Sequence, residues 1–299
     1  MDTLIRSLQN DFKSQGFHLV EPFKVSDYNN ICKFKVENYG IPDALGLIIG
    51  CNKYFWDHFV TFVTDYYTKF GDLPKDPMNL FCQETIERVV GANKEVALSK
   101  LKYDIRYDWN SVASGRYVHI QTAGHFAGIA HYDRDVMWSV HPTYGLWFVF
   151  RAIVVFNTEY DDKAWPRNPA SIPLLDPETK GEMKKWTDVA IDEGWSNIET
   201  RLKIRDCCTV GKEEWKYQGD TFDYFYPLKR TSRKVIQDII DRSNITAVNN
   251  KDDESDSNKS IVGPSQCCNG NISNIINNNN NINSITGNGG SSSSSSNSN

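Results

Sequence analysis

Arg151 stands inside the apolar stretch WFVFRAIVVF, residues 147–156. A guanidinium in such a setting needs an anion, because an unpaired buried charge costs several kcal/mol. A local carboxylate, an anionic ligand, or an edge-strand position from which the arginine reaches water would each meet that need. A second feature is IQTAGHFAGIAHYD, 120–133, in which Ala123, Gly124, Ala127, Gly128 and Ala130 strip bulk from successive turns after Thr122, an N-cap type. Each helix-interior glycine costs about 1 kcal/mol, so this helix is expected to be approached closely, by another backbone or by a large flat ligand. The histidines His119, His125, His131 and His141 are spaced six, six and ten apart. That spacing does not set metal ligands on one helix face, and no HExxH motif or Cys/His cluster accompanies it, so no metal site is read. Nucleophile elbows, P-loops and GxGxxG turns are also missing, and no carboxylate pair stands out as an acid/base couple. The adjacent Cys207 and Cys208 are either two ordinary thiols or a vicinal redox pair.

Several elements must position these residues. Leu4, Ile5, Leu8 and Phe12 lie on one face of an N-terminal helix stopped by Gly16. A second helix starts near Ser26, a third covers Tyr54–Phe70 before Gly71, and Asp76-Pro77 opens a fourth that runs to about Val90. Strand patterns fall at Phe17–Phe23, Leu45–Cys51, Leu101–Tyr107, Tyr117–Ile120, Val136–Val140 and Trp147–Phe156, with a helix over Thr122–His131 among them. Beyond Asn157 the chain reads as polar loop, with helical signals only near Met183–Ala190 and Ser232–Ile240. Mixed elements of this kind predict an α+β fold, with a central antiparallel sheet and packed helices.

Of the 299 residues, the last 56 hold 16 Asn and 13 Ser and no Phe, Tyr or Trp, too little apolar surface to offset ordering entropy. Residues 1–243 are therefore expected to form one domain and 244–299 a disordered tail. The 33 basic and 38 acidic residues give a net charge of −5, not the basic excess by which nucleic-acid binders release counterions. No apolar stretch is long enough to span a bilayer, and the N-terminus lacks a secretory h-region. Seven cysteines without a CxxC spacing suit a reducing compartment, so a cytoplasmic location is expected.

Two blocks become recognisable together: Gln121-Thr122-Ala123-Gly124-His125-Phe126-Ala127-Gly128, and His141-Pro142-Thr143-Tyr144-Gly145-Leu146-Trp147-Phe148-Val149-Phe150-Arg151. At nearly matching separation they resemble the cobalamin-processing family of the methylmalonic aciduria and homocystinuria type C protein, whose pattern is approximately QTAAHVAG followed by HPxxGGWFxxR. Leu146 replaces the second glycine of that pattern and Gly124 an alanine. The similarity runs from the N-terminal helix to about Arg230.

The resemblance implies a flavin-reductase or nitroreductase-like α+β fold that binds cob(III)alamins base-off and removes the upper axial ligand. Cyanide would leave by reduction with FMN or FAD, NADPH being an electron source, and alkyl groups would pass to glutathione. By position, the corrinoid contacts fall on Val118, His119, Ile120 and Gln121, on Tyr132, Asp133 and Arg134, and on Ser139 and Phe150. The glutathione-binding arginines correspond to Arg151, Arg205 and Arg230, which suits a dicarboxylate cosubstrate. No side chain is assigned a catalytic role, and His125 is expected to pack beside the corrinoid rather than ligate cobalt. A type D cobalamin-trafficking protein is the implied partner. A non-catalytic cobalamin carrier or chaperone, and a generic flavin-dependent nitroreductase-like enzyme, are the alternative readings.

Overall fold

A computed structural model describes residues 2–165 and 173–243; the Asn/Ser-rich segment 244–299 lies outside the described residues. The elements are α1 (Asp2–Lys13), β1 (Leu19–Lys24), α2 (Val25–Ile31), β2 (Ala44–Cys51), α3 (Trp56–Phe70), α4 (Pro77–Ala92), α5 (Lys94–Leu98) and β3 (Tyr103–Tyr107). Then come α6 (Ile120–Phe126), β4 (His131–Asp133), β5 (Trp138–Val140), β6 (Val149–Glu159), α7 (Pro177–Glu193), α8 (Ile198–Cys207), α9 (Lys212–Trp215) and α10 (Gly219–Phe225). A last helix, α11, covers 232–243.

The main sheet has the order β1-β2-β6-β3 with every neighbouring pair antiparallel. β2 is buried at all eight positions because both faces of the sheet are covered. On one face Leu45, Leu47 and Ile49 meet Phe12 of α1, Phe59 of α3, Phe81 of α4 and Ile236 of α11. On the other, Ile48, Ile153 and Val155 meet Tyr28 of α2 and Ala123 of α6. Each large apolar side chain buried this way is worth about 1.5–3 kcal/mol. The α+β architecture read from the sequence is the one observed.

β6 carries a bulge: Ile49 pairs with Ala152 but Gly50 pairs with Phe150, so Arg151 is the extra residue. Phase flips there, sending Phe150 toward the α6 face and Ala152 toward the α4 face. Arg151 is thus in an interior strand, not at an edge, and it is buried.

Several local expectations are corrected. Tyr117–Ile120 forms no strand but leads into α6, and that helix ends at Phe126, so His131 begins a strand. Helices α8, α9 and α10 fill a region that reads as loop, because their hydrophobic stripes are short and interrupted by charges.

Candidate functional site

The site is built around the start of α6. His119 occupies its N-cap position and donates no side-chain cap; its backbone N–H is bound 2.9 Å from the Tyr28 hydroxyl. Thr122, which the sequence suggests as N-cap, lies within the first turn and meets His119 Nδ1 through its hydroxyl at 2.9 Å. Gly128, at φ +73°, turns the chain after the helix into the β4–β5 hairpin. Gln121 Nε2 ties helix to hairpin by donating to the Met137 carbonyl at 3.1 Å. In the hairpin turn, Asp133 Oδ1 accepts from the Asp135 backbone N–H at 3.0 Å, and Lys180 of α7 pairs with Asp133 at 2.9 Å.

The small-residue stripe of α6 has an internal reason. A Cβ on Gly124 would collide with the Phe150 ring, while Ala123 and Ala127 are buried against the sheet. Close helix–sheet packing occupies the space that the sequence also allows for a flat ligand.

Two clefts flank this helix start. The narrower, about 190 Å³, is walled by Ile120, Gln121, Trp138, Ser139, Phe150 and Arg205, with Asp108 at the end of β3 also facing it. The wider, about 440 Å³, has His119, Tyr132 and Arg134 in its wall together with Cys32, Lys33 and the edge-to-face pair Phe34–Tyr117. The structure thus brings seven of the nine expected corrinoid contacts to these two clefts. Of the remaining two, Val118 is buried in the α6-side core and Asp133 braces the hairpin. Burial lowers the pKa of both His119 and His125, so both rings are disposed to be neutral near pH 7. His125 Nδ1 accepts from the Tyr132 backbone N–H at 3.3 Å.

The three arginines take different positions. Arg205, on α8, is boxed by the rings of Trp138 at 5.1 Å, Trp147 at 5.2 Å and Tyr226 at 5.8 Å, and donates to the Leu146 carbonyl. Arg151 sits behind the narrow cleft, 3.6 Å from Asp108 Oδ2 and beside the Cys51 thiol. Burial pushes the Asp108 carboxyl up to about 6, against the pull of Arg151. Arg230 lies at the α10–α11 junction, with its guanidinium engaged by Asp220, Asp223 and Asp238 at 2.7–3.0 Å.

The HPTYG segment is locked from two sides. His141 Nδ1 accepts from the backbone N–H groups of Thr143 and Tyr144 at 2.9 and 3.1 Å, and its ring stacks on Tyr144. Burial pulls its pKa down to about 4. Gly145 lies under the Val210 carbonyl and Gly211 under the Thr143 carbonyl, both with positive φ, so the loops 141–146 and 209–211 clasp each other. Leu146 packs against Met183 and Ile204 and closes the narrow cleft.

Asp108 and Trp138 are site residues that sequence reasoning missed. The demand that Arg151 have a carboxylate partner was the available signal for Asp108, which follows the β3 pattern directly. Trp138 gave no signal beyond its place in a strand. Among the described residues Cys207 and Cys208 are free thiols, and no three His, Cys, Asp or Glu side chains converge to hold a metal ion.

An antiparallel sheet wrapped by helices, with a carboxylate, an aromatic-boxed arginine and a small-residue helix start around paired clefts, defines an α+β protein with a candidate ligand site. The chain belongs to the methylmalonic aciduria and homocystinuria type C family, whose model matches residues 16–188. It is 25% identical over 172 residues to the cyanocobalamin reductase / alkylcobalamin dealkylase of Danio rerio, an alignment covering 52% of this chain and 66% of that protein, just under two thirds of it. The crystal structure of a C. elegans B12-trafficking protein, CblC, has a similar fold, with a TM-score of 0.60 at 19% identity over 80% of this chain and 96% of that one. Epoxyqueuosine reductase from Streptococcus thermophilus superposes with a TM-score of 0.43 at 11% identity, covering 86% of each chain.

Proposed function

We propose that this protein binds cob(III)alamins base-off and removes their upper axial ligand. The observation that carries the reading is the grouping of His119, Ile120, Gln121, Tyr132, Arg134, Ser139 and Phe150 in two clefts on either side of one helix start. Neither cleft is large enough for a whole corrin, so the macrocycle lies across the helix start and sends its periphery into both.

In the dealkylation branch, the thiolate sulfur of glutathione attacks the cobalt-bound carbon. A carbon–sulfur bond forms and the cobalt–carbon pair stays on the metal, leaving cob(I)alamin, while the thiol proton goes to solvent. The protein supplies orientation: Arg205 faces the cleft, Arg151 holds Asp108 from behind, and Arg230 takes part only by exchanging one of its aspartates. Bringing cosubstrate and cobalt together in fixed geometry is the main source of acceleration available here.

In the decyanation branch, reduced FMN or FAD, with NADPH as its electron source, would supply the electrons with which cyanide leaves the cobalt. Lys33 and Arg134 on the wide cleft make no ion pair with a carboxylate among the described residues, and the Phe34–Tyr117 pair gives it an aromatic wall. That set of groups fits a flavin phosphate and ring. A type D trafficking protein would receive the product, in the cytoplasm; no helix among the described residues is long and apolar enough to cross a membrane.

The test is anaerobic incubation of the protein with methylcobalamin and glutathione, followed by absorption spectroscopy. Base-off binding and then cob(I)alamin are expected. Base-off binding with no turnover, under these conditions or with cyanocobalamin and reduced flavin, would replace the enzyme by a carrier.

A further inference from the structure

The turn that closes the β4–β5 hairpin is held from more sides than a short connection needs. It covers 134–137, between Asp133 and Trp138, which form the last pair of the ladder. Asp133 Oδ1 accepts from the backbone N–H groups of Asp135 at 3.0 Å and Val136 at 3.4 Å, while Oδ2 meets Lys180 Nζ at 2.9 Å. The same ammonium pairs with Asp135 at 2.7 Å. Further along α7, the buried Thr187 hydroxyl donates to the Val136 carbonyl at 3.1 Å. From α6, Gln121 Nε2 takes the Met137 carbonyl at 3.1 Å.

Those contacts hold a strained residue. Met137 has φ +60°, the left-handed region in which a Cβ crowds the following carbonyl oxygen. Glycine would sit there without strain. The position instead carries a long apolar side chain that is 42% exposed and lies in the wall of the wide cleft, beside Arg134. Tyr39 and Lys100 also have positive φ, but neither lies in that wall. So exposed a side chain gains little from burial to offset the strain. Strain of this kind persists where surrounding contacts over-determine it, and it gathers at ligand clamps. The turn also stands between the two clefts: Gln121, which grips it, lines the narrow one, and Met137 and Arg134 line the wide one. A macrocycle lying across the start of α6 passes over it.

We propose that this turn is a preformed corrin clamp, in which Met137 is a further corrin-contact residue and Lys180 is the positioning residue that fixes it from α7. The inference rests on the reading of the two clefts as the cobalamin site. The rim of a corrin is decked with methyl groups and amide arms, and a flexible, polarisable thioether suits such an uneven edge. Lys180 acts through Asp133 and Asp135 and touches no ligand itself. Neither Lys180 nor Thr187 belongs to the two sequence blocks that mark the site, so the clamp extends the site into α7.

Methylcobalamin titration followed by absorption, together with thermal melting, tests this on the full-length protein. Met137→Gly relieves the strain and removes the contact. Its melting temperature should equal or exceed the parent's, while its affinity for methylcobalamin falls about tenfold or more. Met137→Leu keeps an apolar side chain of similar volume and should stay within about threefold of the parent. Lys180→Met should weaken binding about three- to fivefold, and Lys180→Arg should restore it. In the Met137→Gly background, Lys180→Met should be without further effect, because its influence passes through Met137. A Lys180 that merely supports the fold would weaken binding by the same factor in both backgrounds, and that result removes its positioning role. Binding by Met137→Gly at the parent's affinity would overturn the clamp and leave the cobalamin reading standing. A parent that binds no cobalamin would overturn both.

Discussion

Arg205→Met tests the charge at the cleft while preserving side-chain length and its contact with the aromatic box. Losing a charge-assisted contact of about 1.5–3 kcal/mol should raise the glutathione requirement about 10- to 200-fold, with corrinoid binding much less affected. Steady-state kinetics at varied thiol, set beside cobalamin titration, reads both. Arg151 differs, because its removal strands Asp108 as an unpaired carboxylate in the interior, so its loss is expected to fall on the fold as well as the ligand. His141 makes a different prediction. Its folded pKa, about 4 against 6.5 for a free imidazole, means that the native state prefers the neutral ring. The associated stability is complete above pH 6.5 and is lost as pH falls toward 4. Linkage gives a loss of about 2 kcal/mol at pH 5. Urea unfolding at pH 7.5 and pH 5.0 should show that loss in the parent and not in His141→Asn, whose carbonyl oxygen can accept the same backbone N–H groups. An equal drop in both proteins would place the acid sensitivity elsewhere.

At the scale of elements, α6 and β6 are fitted through Gly124 and Phe150. Alanine is the better helix former by about 1 kcal/mol, yet Gly124→Ala would push a methyl into the Phe150 ring. A net destabilisation of about 1–3 kcal/mol is expected, with weakened corrinoid binding because Phe150 also lines the narrow cleft. Pairing it with Phe150→Leu should recover part of the loss, and strictly additive unfolding energies for the two changes would argue against the contact. The same pair shows what the sequence could and could not reveal. The run of small residues announced a close approach, but not by what, since a phenylalanine on a strand 26 residues away carries no local mark of its partner. Asp76-Pro77 marked the start of α4, where Asp76 caps the Asn79 N–H at 3.0 Å. Thr122 looked equally like a cap and is not one, because His119 already holds that position. The β6 bulge was invisible for a different reason: a run that is apolar at every position on both sides of Arg151 gives no phase, so nothing in it says that one residue is extra. Helices α8 and α10 draw their stability from tertiary contact with Trp147 and Tyr226 more than from their own periodicity.

For the whole molecule, α11 sets where the chain can be cut. Val235, Ile236, Ile239 and Ile240 enter the α4-side core, whereas the segment from 244 onward has no aromatic residue to bury. A protein ending at Asn244 should keep cobalamin binding and turnover, while one ending at Thr231 should lose its cooperative melting transition. Loss of binding in the longer of the two, with its melting unchanged, would assign the tail a part in the site. The sheet order β1-β2-β6-β3 carries a further consequence, for the ribosome rather than the ligand. β2 finds β1 at once, but its other neighbour, β6, is encoded about 100 residues later, an interval on the order of 5–20 s at ordinary rates of synthesis. Throughout that interval ALGLIIGC presents one unpaired edge of eight apolar or glycine residues, a segment that other nascent chains can pair with. Slow translation between Asn52 and Trp147 prolongs that exposure, and a chaperone that covers the β2 edge should raise the yield of folded protein more than one acting after release.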